Sequence, residues 1–177
     1  MVALMVDRIL VDRFALTPVC SEDLEELFAL RSMPEVNLFN PAGPDKTIDT
    51  TREILDEWIG DWKRDGIGYC TARVNDTGAY VGYVGIAVCE FEGEQLFNLA
   101  YRIRPEFQGQ GFVTRACKAV LEHVRSSQPE FLGMRVRVLT KHNNKPSLAV
   151  AQRLGFVHDA EIDNRPDDGD VSLFVTL

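Results

Sequence analysis

The 177-residue chain reads as an α+β (mixed α/β) fold, a single domain over 1–177. Three observations predict it. Apolar spacing is helical over 21–63, alternates strand-like over 68–104 and is helical again from 111. Two turn signals, Asn75-Asp76-Thr77-Gly78 and Glu92-Gly93-Glu94, join three strand-like runs in succession, which makes an antiparallel meander. Beyond the meander, helical and strand-like runs alternate. The whole order is strand, two helices, three strands, helix, strand, helix and two strands, or about seven strands and four helices.

Each element has a local reason. Residues 9–19 form a strand that stops near Pro18. Ser21 caps a helix over 21–31, with Glu22 and Asp23 where the helix dipole favours acid. Leu24, Leu27, Phe28 and Arg31 share its inner face, three of them buried. Pro34, Pro41, Gly43 and Pro44 make an irregular connection. Thr47 opens a helix over 47–63 whose Ile48, Thr51, Leu55, Trp58, Ile59 and Trp62 form one apolar stripe. Strands follow over 68–74, 80–90 and 95–104, and Pro105 ends the third because it lacks a ladder N–H. A helix over 111–127 buries Val113, Ala116, Val120, Leu121 and Val124. A strand over 133–140 comes next, then a short helix over 147–154 with Pro146 at its start, ended by Gly155. Strands over 156–162 and 170–177 close the chain.

Composition narrows the function. Apolar residues make up 45% and charged residues 26%, enough for an ordinary packed core. The net charge of −8 gives no footprint for nucleic acid or anionic lipid and favours a cationic partner. Cys20, Cys70, Cys89 and Cys117 match no disulfide or metal framework and read as four buried thiols of a reducing compartment. His123, His142 and His158 lack ligand spacing, so no metal is expected. The opening MVALMVDRIL lacks a basic start and is interrupted by Asp7, unlike a signal peptide, and the mostly apolar run 79–89 is too short to span a bilayer. A cytoplasmic protein is the expectation.

The chemistry concentrates where the third meander strand runs through Gln108-Gly109-Gln110-Gly111-Phe112-Val113-Thr114 into a helix. Gly109 and Gly111 permit a tight turn and close approach of an anion, and the helix start offers unpaired N–H groups. A bare glycine turn that binds nothing fits as well. A dinucleotide fingerprint needs glycine where Thr114 stands, and no GK[ST] phosphate loop is present.

Several motifs in order resemble one family. Gln108 to Thr114 is similar to the pyrophosphate loop of the GNAT superfamily of N-acetyltransferases. Asn144-Lys-Pro-Ser147 followed by Arg153-Leu-Gly-Phe156 resembles its NxxS…(K/R)LGF helix, and Tyr80-Val-Gly-Tyr-Val-Gly85 its (I/V)GxxG strand. Asp12 to Pro18 resembles the opening of the RimJ/RimL-like branch, which includes acetyltransferases of ribosomal-protein N-termini.

The resemblance implies a GNAT fold: a mostly antiparallel central sheet whose fourth and fifth strands, here 95–104 and 133–140, splay apart around acetyl-CoA. It implies that the backbone of Tyr101, Arg102 and Ile103 binds the pantetheine arm, that Gln108, Gly109, Gln110, Gly111, Phe112, Val113 and Thr114 hold the pyrophosphate, and that Asn144 binds the amide arm. Asn144 equally suits a helix N-cap, and both roles are compatible. The implied reaction is direct attack of a primary amine on the thioester, with CoA as product. The first acceptor is a protein or peptide N-terminus, the second a small amine such as a polyamine or aminoglycoside, and a non-catalytic acyl-CoA-binding module is the rival. A monomer or homodimer is expected. Ser147 is the implied proton donor to the thiolate, or simply makes a helix-start hydrogen bond. Glu94 is the candidate base in a turn otherwise read as solvated surface. The chain departs from the branch at Asn98, often Glu, at Thr17, often Arg, and at Phe112 and Val113, where small residues are common, and from many GNAT members at Ala151, often Tyr. Trp58 and Trp62 are core or acceptor wall.

Overall fold

The computed structural model describes residues 8–159 and 169–177. Its eight-stranded sheet has the order β1-β2-β3-β4-β5-β6-β8-β7. The strands are β1 (Ile9–Val11), β2 (Phe14–Pro18), β3 (Tyr69–Val74), β4 (Tyr80–Phe91), β5 (Glu94–Ile103), β6 (Arg135–Lys141), β7 (Val157–His158) and β8 (Asp170–Thr176). The helices are α1 (Leu24–Arg31), α2 (Ile48–Asp65), α3 (Phe112–Ser127) and α4 (Lys145–Arg153). Every strand pair is antiparallel except β5 with β6, as a crossover through α3 requires.

Eight strands replace the expected seven because residues 9–19 are not one strand. Asp12 takes φ 51°, which folds the segment into a β1–β2 hairpin with Val11 opposite Phe14. Aspartate tolerates that conformation better than most side chains. The expected strand over 156–162 is described only at Val157–His158, and residues 160–162 lie outside the described residues. The helix expected from Ser147 begins at Lys145, because Asn144 caps it two residues earlier. The helix expected from Ser21 starts as a 3-10 turn, Ser21–Asp23, before α1.

Strand alternation sorts the helices into two layers. Tyr69, Thr71, Arg73 and Tyr83 share one face of the sheet. There Trp58 of α2 stacks on Tyr69 and Tyr83, and the Asp23 carboxylate accepts from Thr71 and Arg73. Phe14 and Leu16 lie on the other face, where Phe112 of α3 packs 4.3 Å from the Phe14 ring. The core fills both interfaces, with Leu27, Leu30 and Leu55 on one side and Phe97, Phe112 and Ala116 on the other.

Of the four cysteines, Cys70 and Cys117 are buried as expected, but Cys89 is half-buried and Cys20 is exposed at the chain's entry to the first helical turn. Among the described residues no helix is long and apolar enough to cross a membrane, and no acid, His and Cys groups cluster as metal ligands.

Candidate active site

The ladder between β5 and β6 covers Phe97/Val136 and Asn98/Arg137 and then stops, although both strands continue. A gap therefore opens toward the C-terminal ends of β5 and β6. The Arg104 N–H donates to the Val81 carbonyl at 2.9 Å, which fixes the phase of the β4–β5 ladder. Counting back by twos, Arg102, Ala100 and Asn98 turn their backbone groups to β4, while Tyr101 and Ile103 turn theirs into the gap. Of the three strand residues expected to offer backbone, Tyr101 and Ile103 are therefore placed to do so, and Arg102 is committed to the ladder.

Next to the gap, the chain passes through a 3-10 turn, Pro105–Phe107, into the glycine loop. Among the described residues no acceptor pairs the N–H groups of Gly109 to Thr114; the next amide, Arg115, bonds the Gly111 carbonyl at 3.3 Å. These groups stand at the positive end of the α3 dipole, whose first turn carries no acid. The loop is braced from behind. Gln108 Nε2 donates to the Ile103 carbonyl at 3.2 Å and Gln110 Nε2 to the Glu106 carbonyl at 3.0 Å. Arg115 joins Asp12 Oδ2 at 2.6 Å to the Gln110 carbonyl at 3.1 Å. The bulky Phe112 is 1% exposed, so its side chain anchors the loop to the core and its N–H stays available. An anionic group with several acceptor oxygens fits this row of amides.

Opposite the loop, α4 delivers Asn144 and Ser147. Asn144 Oδ1 accepts from the Ser147 N–H at 3.3 Å, an N-cap. The Tyr101 hydroxyl donates to Ser147 Oγ at 3.0 Å, across the gap between β5 and α4. Burial pushes the Tyr101 phenol up to about 12, so it stays protonated and keeps donating. Nothing in the sequence signalled this contact, because the partners are 46 residues apart.

Glu94 is not brought to this cluster. It sits at the hairpin end of β5, paired with Arg135 at 3.0 Å. Tyr101 lies seven steps further along the strand, about 23 Å at strand rise. Asn98 instead donates to the Tyr69 hydroxyl at 3.0 Å on the face covered by α1 and α2. Trp58 is half-buried and its ring lies 4.6 Å from Tyr69 and 4.8 Å from Tyr83, forming a wall on that face, whereas Trp62 is core and donates to the Tyr69 carbonyl at 2.7 Å. Arg31, which periodicity treated as a stripe member, is buried and forks onto Asp45 at 2.6 and 3.0 Å. A cleft of about 300 Å³ opens between Leu38 to Pro41, in the connection before α2, and Lys141 to Asn143, at the end of β6.

Comparison with known proteins bears on this arrangement. Residues 13–157 match the family described as acetyltransferase (GNAT) domain. No curated protein matches the sequence. An acetyltransferase from Agrobacterium tumefaciens superposes with a TM-score of 0.80 at 19% identity, covering 100% of this chain and 98% of that one. The microcin C7 self-immunity acetyltransferase MccE, solved with acetyl-CoA and AMP, gives 0.73 at 20% identity, with 99% of each chain covered. The ribosomal-protein-S5-alanine acetyltransferase from Vibrio fischeri gives 0.74 at 15% identity, with 96% of each chain covered.

Proposed function

The chain belongs to the GNAT acetyltransferase family, and from that premise we propose that it transfers the acetyl group of acetyl-CoA to the α-amino group of a protein or peptide N-terminus. The family makes it an acetyl-CoA-dependent N-acetyltransferase acting on an amine. When bound, acetyl-CoA supplies the activated acyl carbonyl.

The observation that supports this reading is the gap beyond Asn98 and Arg137, flanked by the unpaired amides of the glycine loop. In it, the Gly109 to Thr114 amides hold the phosphates and the Tyr101 and Ile103 N–H groups orient the arm. Asn144 fixes the first turn of α4 and so fixes Ser147. Because Tyr101 donates to Ser147 Oγ, the serine's own proton is free to point at the leaving sulfur. With Asn98 at the β5 position and Glu94 remote, the acceptor must supply its own neutral nitrogen. An α-amino group, with a pKa near ~8, does so far more readily than a lysine near ~10.4. The likeness to a ribosomal-protein-S5-alanine acetyltransferase supports a protein acceptor.

The test is thiol release from acetyl-CoA with short peptides, polyamines and aminoglycosides, followed by mass spectrometry of the acetylated atom. The expected result is peptide-dependent release with the acetyl group on the terminal nitrogen. Release with the small amines alone overturns the acceptor. Tight cofactor binding without amine-dependent release from any of them overturns the catalytic reading.

A further inference from the structure

We propose that the acceptor carries a carboxylate close to its reacting nitrogen and that the Arg102 side chain recognises it. This deepens the reading above and rests on its acetyl transfer to an α-amino group, whether of a peptide or of a free amino acid. Alternation along β5 sends the Tyr101 side chain toward α4 and sends the Arg102 side chain to the opposite face, which it shares with Asn98 and Tyr83. Arg102 thus stands beside the cofactor gap, on the face lined by Trp58, Tyr69 and Tyr83 and covered by α1 and α2.

Two observations give that position its chemistry. The first is that Arg102 Nη1 is buried and, among the described residues, has no hydrogen-bond partner. A guanidinium is always charged, and a buried charged donor without an acceptor is destabilising, so proteins rarely keep one without a use. The second is the local charge. Asp45 is within electrostatic reach of Arg102, but both of its oxygens already have partners. Oδ2 accepts from Arg31 Nε at 2.6 Å and from Thr51 Oγ1 at 2.6 Å, and Oδ1 accepts from Arg31 Nη2 at 3.0 Å. Arg31 and Thr51 occupy Asp45, so Asp45 leaves Arg102 Nη1 without an acceptor. The molecule carries −8 overall, but this spot is cationic. The partner suggested by net charge and the partner suggested by this position are therefore opposite in sign, and the position beside the gap is the one that meets the acceptor.

A planar fork of N–H donors matches a carboxylate. Because the neighbours of Arg102 in the chain, Tyr101 and Ile103, face the gap, that carboxylate belongs within one or two residues of the reacting nitrogen. It is the α-carboxylate of a free amino acid or the side chain of an acidic residue at the first or second position of a peptide.

The experiment compares matched pairs on the full chain, by thiol release from acetyl-CoA. One arm sets amino acids against their amides. The other sets peptides with Asp or Glu at the first two positions against peptides with Asn or Gln. The acidic member is expected to have kcat/KM higher by about tenfold or more in one arm, through KM, and that arm identifies the source. In Arg102→Gln the ratio falls toward one, and Arg102→Lys, which keeps the charge and loses the fork, lies between. Equal rates within both sets of wild-type pairs overturn the proposal while leaving the transferase reading in place. No release from any amine overturns both.

Discussion

At Gly111 the backbone sits at φ +70°, a conformation that costs a residue with a β-carbon about 1–2 kcal/mol. An added β-carbon there would also lie 2.7 Å from Arg115 Nη1, and Arg115 is tied to Asp12 and to the Gln110 carbonyl. Gly111→Val is therefore expected to weaken acetyl-CoA binding about tenfold or more, by calorimetry, with an unchanged far-UV circular dichroism spectrum. Gly109 has φ +73° but open space around it, so Gly109→Ala should lose less. Unchanged affinity in Gly111→Val removes the loop from the site. These glycines were legible because the residue type itself reports the backbone. Arg102 was not. Its backbone was expected at the gap, and only the phase of the ladder turns that backbone to β4 and leaves the side chain as the informative part.

Among the elements, α4 is the one whose start decides chemistry. Asn144 caps it, and the same bond holds the Ser147 N–H. Asn144→Ala should cost about 1 kcal/mol, a fall in melting temperature of about 2–4 °C for a chain of this size. Because Ser147 lies on that first turn, kcat should fall while the KM for peptide stays near its original value. An unaltered kcat beside a lowered melting temperature would make the cap purely structural. The helix was legible from Pro146 and from the apolar spacing, but its contact with Tyr101 required β5 and α4 to meet across the gap. The first strand reads as one segment for a local reason. Asp12-Arg13 interrupts the apolar run over 9–19, but neither residue is a glycine or proline that would mark the reversal Asp12 makes to set a hairpin against α3.

For the whole molecule, the two-layer packing buries several phenols. Burial lifts Tyr101 to about 12 and lifts Tyr69 and Tyr80 further, against an ordinary value of 10.0. Their raised folded pKa values mean that the folded state holds protons the unfolded chain has released. Stability is full below pH 10 and is lost as pH rises toward about 12. Urea denaturation at pH 8 and pH 11 should show a loss of roughly 1 kcal/mol per tyrosine by pH 11. A midpoint that does not move would mean that these rings are open to water. The sequence by itself determined the mixed class, the meander, the four helices and the glycine loop, because periodicity, turn chemistry and glycine spacing are local properties of the chain. The tertiary structure decided where β5 and β6 part, that Tyr101 meets Ser147, that Glu94 lies at the far end of its strand and that Arg102 Nη1 is buried without a partner among the described residues, because each of these depends on register and on contacts between residues far apart in the chain.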